Sequence, residues 1–423
     1  MTAMEIEHSA VDSVLNQDDP HGLLDRILKN DMKTANEDEV KKAESEILML
    51  ASKLSKTGKS KELANLIRYI RPFLSNISKA KAAKIVQTLV EKFLEMNTTS
   101  GLEVDLCKEC IDWAKEEKRI FLRQALEAKL LSVYYELKDF DNALAISGPL
   151  LKELKKMDDK NLLVDVQLIE SKIYHALGNL PKSRASLTSA RTTANSIYCS
   201  PRVQGSLDLQ SGIVHASEGK DFNTAYSYFY EAFEAFETCG PDYRVRTISA
   251  LKYTLLSKVM LNNPEEVESL IIGKLALKYG GKDLEALKAI AGANKNRSLS
   301  LFQQARETYR SELMDDPIIK MLLETLYDKL LEQNLLRIIE PYSRIQIHYV
   351  AESIKLPLDV VEKKLSQMIL DQKFNGIIDQ SDGGILIVFE EETPNRTFDT
   401  SINIIECMSK VMDTLYIKSK KLS

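Results

Sequence analysis

Three stretches of the chain share one pattern, and that pattern decides the fold. They are SVYYELKDFDNALAISGPLLKEL (132–154), KIYHALGNLPKSRASLTSARTTA (172–194) and GIVHASEGKDFNTAYSYFYEAFEAF (212–236). Each contains an apolar-periodic segment, a turn, a large apolar residue, a small residue three positions later, and a second periodic segment. Apolar residues at a spacing of three or four are typical of amphipathic helices. Each stretch therefore predicts two helices joined by a short turn.

The large and small residues recur at a nearly constant distance along the chain, with the large residues 40 and 42 positions apart. The recurring pairs are Phe140 with Ala143, Leu180 with Ser183, and Phe222 with Ala225. In each pair we call the first residue the large anchor and the second the small anchor. A small side chain lets two antiparallel helices approach closely, and a large one fills the corner between them. We expect these six residues to carry the packing of the repeats.

The same cadence extends beyond the three stretches in both directions. The predicted first helices begin near Glu37, Ser78, Ile120, Leu162, Arg202, Tyr243 and Asp283. A helix-pair period of about 34–47 residues is typical of tetratricopeptide and HEAT-like solenoids. The sequence therefore predicts a mainly α protein built on a right-handed α-solenoid of TPR-like helix pairs. An irregular helical domain is the alternative, and a sustained period disfavours it.

The pattern changes after about Leu313. The expected elements are a helix over 318–332, a helix over 345–354, a second helix over 358–372, and the apolar segments GIID (376–379) and ILIVFE (385–390). The two apolar segments flank Ser381-Asp382-Gly383-Gly384, a strong hairpin signal because such turns need positive φ. Helix, turn, helix and hairpin is the order of a winged helix.

The last segment predicts one amphipathic helix over 397–420. Its expected apolar stripe, with Met408 and Leu415 on the shoulder, comprises Phe398, Ile402, Ile405, Met408, Met412, Leu415 and Tyr416.

The sequence predicts four parts along the chain. They are a flexible N-terminal segment (1–36) with a short helix from Leu23 to Leu28, the solenoid (37–282), a module with a helical part (283–340) and a winged helix (341–392), and the C-terminal helix (393–423).

Composition and motifs exclude several functional classes. The formal net charge of the 423 residues is −5, which argues against a protein that coats nucleic acid. The first fifteen residues lack a basic signal-peptide segment, and the longest apolar runs fall short of the ~20 residues that span a bilayer. Five cysteines form no disulfide framework. We expect a reducing cytoplasmic or nuclear location and no membrane.

Motifs of catalysis and of metal or cofactor binding are missing. The sequence holds no P-loop, G-x-G-x-x-G, G-x-S-x-G or H-E-x-x-H. Cys107 and Cys110 form a lone C-x-x-C that two cysteines on a buried helix face explain better than a zinc site. His175 and His215 are one period apart, as stacked repeats require. We expect no catalytic, cofactor or metal site.

The winged helix carries the wrong charge for DNA. Residues 341–392 hold five basic and nine acidic residues, a net charge of −4. Such a surface repels phosphates, so protein contact remains as its role. We expect an edge-strand interface formed by Ile385, Leu386, Ile387, Val388 and Phe389, since an unpaired strand edge can pair with another chain. The alternative, that this strand packs wholly on its own helices, stays open.

Helical repeats leading into a winged helix are the layout of the PCI module, named for the proteasome lid, the COP9 signalosome and a translation-initiation factor. Four blocks extend the likeness: NLIRYIRPFLSNISKAKAAKIV (65–86), KNRSLSLFQQA (295–305), LYDKLLEQNLLRIIEPYSRIQI (326–347) and DVVEKKLSQMILDQKFNGIIDQ (359–380). They closely resemble the non-ATPase regulatory subunit 11 family of the 26S proteasome lid. The likeness covers nearly the whole chain apart from about the first 36 residues.

The resemblance implies a non-catalytic scaffold of the regulatory-particle lid. In that family the winged helices line up edge to edge, the solenoid contacts the ATPase base and an α-ring subunit of the 20S core, and the C-terminal helices of lid subunits form a bundle. The expected partners are therefore other PCI lid subunits, ATPase subunits of the base and an α-ring subunit. A PCI scaffold subunit of the COP9 signalosome is the alternative, and a winged-helix nucleic-acid-binding protein is a weaker one.

Overall fold

The computed structural model forms two compact units, Met1–Leu261 and Asn262–Ser423. The structure describes residues 37–71, 74, 78–94, 96, 101–219, 221–263, 266–267, 269–270, 278–314, 316–380, 384–389 and 396–421. The predicted N-terminal segment 1–36, with its helix from Leu23 to Leu28, lies outside the described residues. No described helix is long and apolar enough to cross a membrane.

The first unit is helical. Its helices are α1 (Glu37–Thr57), α2 (Ser60–Tyr69), α3 (Lys79–Leu94), α4 (Leu102–Glu116), α5 (Ile120–Glu136), α6 (Phe140–Met157), α7 (Lys160–Ala176), α8 (Leu180–Asn195), α9 (Pro201–Glu218), α10 (Phe222–Thr238) and α11 (Arg244–Met260). A 3-10 turn, Pro241–Tyr243, precedes α11. Across both units, the helices begin within two residues of the seven predicted first-helix starts.

Two kinds of helix contact give this unit its layered arrangement. Helices that are consecutive along the chain pack on one another, most extensively α9 on α10 and α7 on α8. First helices of successive pairs also touch, α1 with α3, α3 with α5, α5 with α7, and α7 with α9. Stacking of this kind buries an apolar face that a single pair leaves open. The predicted α-solenoid is confirmed, while its right-handed turn stays a prediction.

The starts of the second helices are fixed by a polar residue that the sequence places directly before each large anchor. The side-chain oxygen of this residue accepts a hydrogen bond from a backbone N–H in the first turn, at 3.1–3.5 Å. The three caps are Asp139 to Asn142, Asn179 to Lys182, and Asp221 to Thr224. Such caps typically stabilise a helix by about 1 kcal/mol.

The second unit combines helices with a small sheet. Its elements are α12 (Lys282–Lys295), α13 (Leu299–Thr308), α14 (Arg310–Met314), α15 (Pro317–Ile339), β1 (Arg344–Gln346), α16 (Ile347–Ile354), α17 (Leu358–Leu370), β2 (Gly376–Asp379), β3 (Ile385–Val388) and α18 (Arg396–Lys420). The core of the winged helix packs apolar residues of α15, α16 and α17 around Leu386, which is fully buried. Gly384 has a φ of +80°, as the predicted hairpin turn requires.

Two predictions for this unit were wrong. The helix expected from Ile345 begins at Ile347, because Arg344–Gln346 forms strand β1. The strand Ile385–Val388 is not an edge, since the sheet order is β1-β3-β2 and both neighbours pair with it. Leu386 faces Ile345 on one side and Ile378 on the other. The fifth residue of the predicted edge, Phe389, follows the strand, and its N–H donates to the Asn375 carbonyl at 2.8 Å.

Candidate interaction surfaces

The C-terminal helix α18 exposes its predicted stripe to solvent. The exposed fractions of the seven predicted side chains lie between 48% for Ile402 and 69% for Met412. A helix buries a stripe of this width against a partner when it belongs to a folded assembly. Contiguous apolar surface left open in water favours association. The predicted helix is therefore confirmed, and its stripe is available for contact.

A second stripe runs beside the first one on α18. Ile404, Met408, Val411 and Leu415 follow one another at steps of four, three and four residues, and all are more than half exposed. The sequence prediction missed Ile404 and Val411 because it kept to a single narrow stripe. Together the two stripes cover about half of the helix circumference at ~100° per residue. A face of this width has room for two neighbouring helices.

Among the described residues, β1 and β2 are the outer strands of the winged-helix sheet. In β2, burial alternates along the strand, and Ile377 is 55% exposed while Ile378 is half-buried. Gly376 is required at the start of this strand, because a Cβ there would lie 2.8 Å from the Ile387 carbonyl oxygen. An outward-facing isoleucine on an edge strand offers both backbone pairing and an apolar contact.

Helices α15 and α17 are joined by a charged cluster. The Glu332 carboxylate pairs with Lys364 at 3.0 Å and also accepts a hydrogen bond from Lys373. Burial acts to raise the pKa of Glu332, but the two ammonium groups outweigh it and hold the pKa below its usual value. The side chains of Lys364 and Glu332 are only 11% and 16% exposed. This cluster fixes α17 against α15 and so supports the sheet edge.

The predicted anchors of the solenoid lie where paired helices approach each other. Ala143, Ser183 and Ala225 are fully buried. The Ser183 hydroxyl donates to the Ser171 carbonyl at 2.8 Å, which ties α8 to α7 within one pair. Of the large anchors Phe222 is buried, whereas Phe140 and Leu180 are half-buried. These contacts serve packing inside a pair; the predicted role between repeats stays a prediction.

The candidate reactive groups of the sequence occupy structural positions. Burial raises the pKa of the Cys107 thiol to about 12 and also raises the pKa of Cys110. His175 shares a 2.8 Å hydrogen bond with Ser217, whereas His215 stacks on Tyr228. Among the described residues no group of three or more histidine, cysteine or acidic side chains is placed to hold a metal ion.

Two family models match separate parts of the chain. Residues 3–137 match the 26S proteasome regulatory subunit RPN6 N-terminal domain, and residues 306–390 match the PCI domain. The second match contains α15, the winged helix and the sheet whose edges are described above.

Relatives from distant organisms match the chain over most of its length. The probable 26S proteasome regulatory subunit rpn6 of Schizosaccharomyces pombe is 49% identical, covering 93% of this chain and 91% of its own. The 26S proteasome non-ATPase regulatory subunit 11 homolog of Arabidopsis thaliana is 48% identical, covering 90% of this chain and 89% of its own. The 26S proteasome regulatory subunit RPN6 of Saccharomyces cerevisiae is 41% identical, covering 90% of this chain and 87% of its own. The chain therefore belongs to the RPN6 family of 26S proteasome regulatory subunits, also named non-ATPase regulatory subunit 11.

Proposed function

We propose that the chain is a non-catalytic scaffold subunit of the 26S proteasome regulatory-particle lid, which joins lid, ATPase base and 20S core for ubiquitin-dependent protein degradation. The observation that carries this proposal is family membership over nearly the whole chain. The relatives described above bear proteasome names, so the COP9 signalosome alternative loses its support. The chain then acts through interaction with other proteasome subunits.

Each proposed contact has its own surface. The two stripes of α18 are proposed to enter a bundle with helices of other lid subunits, because an exposed apolar face of this width gains free energy on burial, about 25 cal/mol per Å². The edge strand β2, with Ile377, is proposed to meet a neighbouring PCI domain. The solenoid is proposed to contact an ATPase subunit of the base and an α-ring subunit of the core.

The proposed cellular location rests on the same assignment. We propose that the chain works in the cytoplasm and the nucleus, without nucleic acid or membrane as a partner. The net charge of −4 over residues 341–392 supports the absence of DNA binding by the winged helix. Imaging of a fluorescently tagged chain in its own cells tests the location.

Affinity purification of the tagged full-length chain from its own cells tests the function. Identification of its companions by mass is expected to return lid subunits, proteasomal ATPases and core subunits in stoichiometric amounts. A set of cullin-directed signalosome subunits, or recovery of the chain alone, would overturn the proposal. Turnover of a small molecule by the purified chain would overturn its non-catalytic part.

A further inference from the structure

Arginine and tyrosine side chains gather on the surface where α9 and α11 begin. The guanidinium carbons of Arg202 and Arg246 lie 5.7 and 5.9 Å from the centroid of the Tyr243 ring. Phe236 stacks on the same ring, with the two planes 4° apart and the centroids 6.4 Å apart, which holds Tyr243 in place. We call the following residues the Arg–Tyr patch: Tyr198, Arg202, Tyr243, Arg244, Val245 and Arg246.

Among the described residues, the arginines of the patch form no close ion pair with a carboxylate. Among the residues that the structure describes, no carboxylate lies within 4.0 Å of the guanidinium groups of Arg202, Arg244 or Arg246. All three side chains belong to exposed residues. Exposed arginines elsewhere in this unit do find partners, as Arg68 finds Glu109 at 2.8 Å. The patch therefore keeps its capacity to pair with an external anion.

The surroundings of the patch add further positive charge. Burial and the charge of Arg246 lower the pKa of the half-buried Lys172 to about 8. Two acidic residues belong to the same surroundings. Asp165 interacts electrostatically with Arg202 and Lys172, and Asp242 directly precedes Tyr243 in the chain. Among these groups the basic side chains of Arg202, Arg246 and Lys172 outnumber the carboxyl groups of Asp165 and Asp242, in a chain whose net charge is −5. The local excess is positive.

Apolar side chains in the patch are open to solvent as well. Tyr198 is 93% exposed and Val245 is 77% exposed, whereas Tyr243 is half-buried. Tyr198 precedes Arg202 by four residues, and Val245 lies between two of the arginines. Tyrosine and arginine are the residue types that most often dominate protein–protein binding energy. The composition of the patch is that of a protein-binding site.

We propose that the Arg–Tyr patch binds an acidic segment of a partner protein, whose aspartate or glutamate side chains pair with Arg202 and Arg246. A guanidinium presents two parallel N–H groups that match the two oxygens of a carboxylate. An apolar side chain of the partner, next to its acidic residue, then covers Tyr198 and Val245. Nucleic acid fits less well, because three arginines on an acidic protein neutralise few phosphates. The proposal specifies the chemistry of the partner and stands without the assignment to the proteasome.

Photo-crosslinking from the patch tests the proposal in the full chain. A photoreactive amino acid replaces Tyr198, the chain is expressed in its own cells, and the crosslinked site is mapped by mass. We expect a crosslink to another protein at a segment with an aspartate or glutamate within a few residues. Arg202→Glu with Arg246→Glu should lower the crosslink yield at least about tenfold, as loss of central interface arginines does. Arg202→Lys with Arg246→Lys should retain part of the yield.

Charge exchange and a matched control complete the test. Replacing the mapped acidic residue of the partner by arginine should restore the crosslink to the Arg202→Glu, Arg246→Glu chain. Lys152→Glu, which alters an exposed residue of α6, should leave the yield unchanged. Circular dichroism is used to check that all variants fold. No crosslink, a crosslink to a segment without acidic residues, a crosslink to nucleic acid, or failure of charge exchange would overturn the proposal. Co-purification with proteasome subunits is measured separately and reports on the proposed function alone.

Discussion

Gly212 and Phe229 are in such close contact that a larger residue at position 212 would force the Phe229 ring to shift. A Cβ built on Gly212 would lie 2.6 Å from the Phe229 ring carbons Cδ1 and Cε1. Phe229 is fully buried, and its ring also contacts Tyr253 at a centroid distance of 5.3 Å. The glycine thus lets α9 and α10 approach closely while the aromatic ring reaches toward α11. One contact positions three consecutive helices of the solenoid.

Gly212→Ala is expected to lower the free energy of unfolding of the first unit by about 1–3 kcal/mol, the typical cost of overpacking. Alanine favours helix over glycine by about 1 kcal/mol, so the steric term must exceed that gain. Hydrogen exchange of the α9 and α10 amides measures the effect.

Gly292→Ala is the control for this substitution. Gly292 lies inside α12, and apart from its chain neighbours and the backbone of its own helix no atom would lie within 4 Å of an added Cβ. Its replacement should leave the α12 amides equally or better protected. Equal protection of α9 in the Gly212→Ala chain and the wild type would contradict the prediction.

Removal of the charge at Glu332 should loosen the winged helix. Glu332→Gln leaves Lys364 and Lys373 without their common carboxylate. We expect a loss of about 1–3 kcal/mol, because one of these lysines is mostly buried. Faster hydrogen exchange of the α17 amides measures this loss of stability. Glu352→Gln, at a mostly exposed side chain, should leave α17 unchanged.

The first unit should lose stability in mild acid through His175. Burial lowers the pKa of His175 below its usual value of 6.5, so the folded state favours the neutral ring. The unfolded chain therefore binds the proton more readily as the pH falls through 6.5, and stability drops from there down to the pKa of the folded state. His175→Gln should flatten this part of the pH profile in thermal denaturation. His348→Gln, which changes an exposed side chain, should leave this part of the pH profile as it is in the wild type.

The edge strand β2 should be needed for contact with a neighbouring PCI domain. Ile377→Asp places a charge on an exposed position, so the chain should fold normally but join the lid at least about tenfold less well. Met157→Asp, at an exposed apolar side chain of the first unit, is the control. Amide exchange of β2 that is equally fast in the free chain and in the assembly would contradict edge pairing.

Features that depend on local sequence could be predicted. The helix pairs follow from a 40-residue period, and α18 follows from its apolar spacing, because the residues that define each helix are near one another in the chain. The capping residue before each anchor was present in the sequence as Asp139, Asn179 and Asp221. It could have been recognised from its recurrence.

Features that depend on distant contacts could not be predicted. Strand β1 has only three residues and shows no alternation long enough to separate it from the following helix. Its pairing with β3 joins segments about 40 residues apart, so the central position of Ile385–Val388 was missed. The approach of Arg202 to Tyr243 likewise depends on how successive repeats stack.

The central claim is that the chain acts by presenting surfaces that other subunits cover, and α18 tests it most directly. Ile402→Asp with Ile405→Asp places two charges in the exposed stripe. The control, Asn403→Asp with Thr414→Asp, adds the same charge at exposed positions outside both stripes. The decisive measurement is how much of each tagged variant is found in purified regulatory particles. Circular dichroism first checks that each variant is folded. The claim predicts less than about one tenth of the wild-type level for the stripe variant and the wild-type level for the control. Wild-type incorporation of the stripe variant would contradict it.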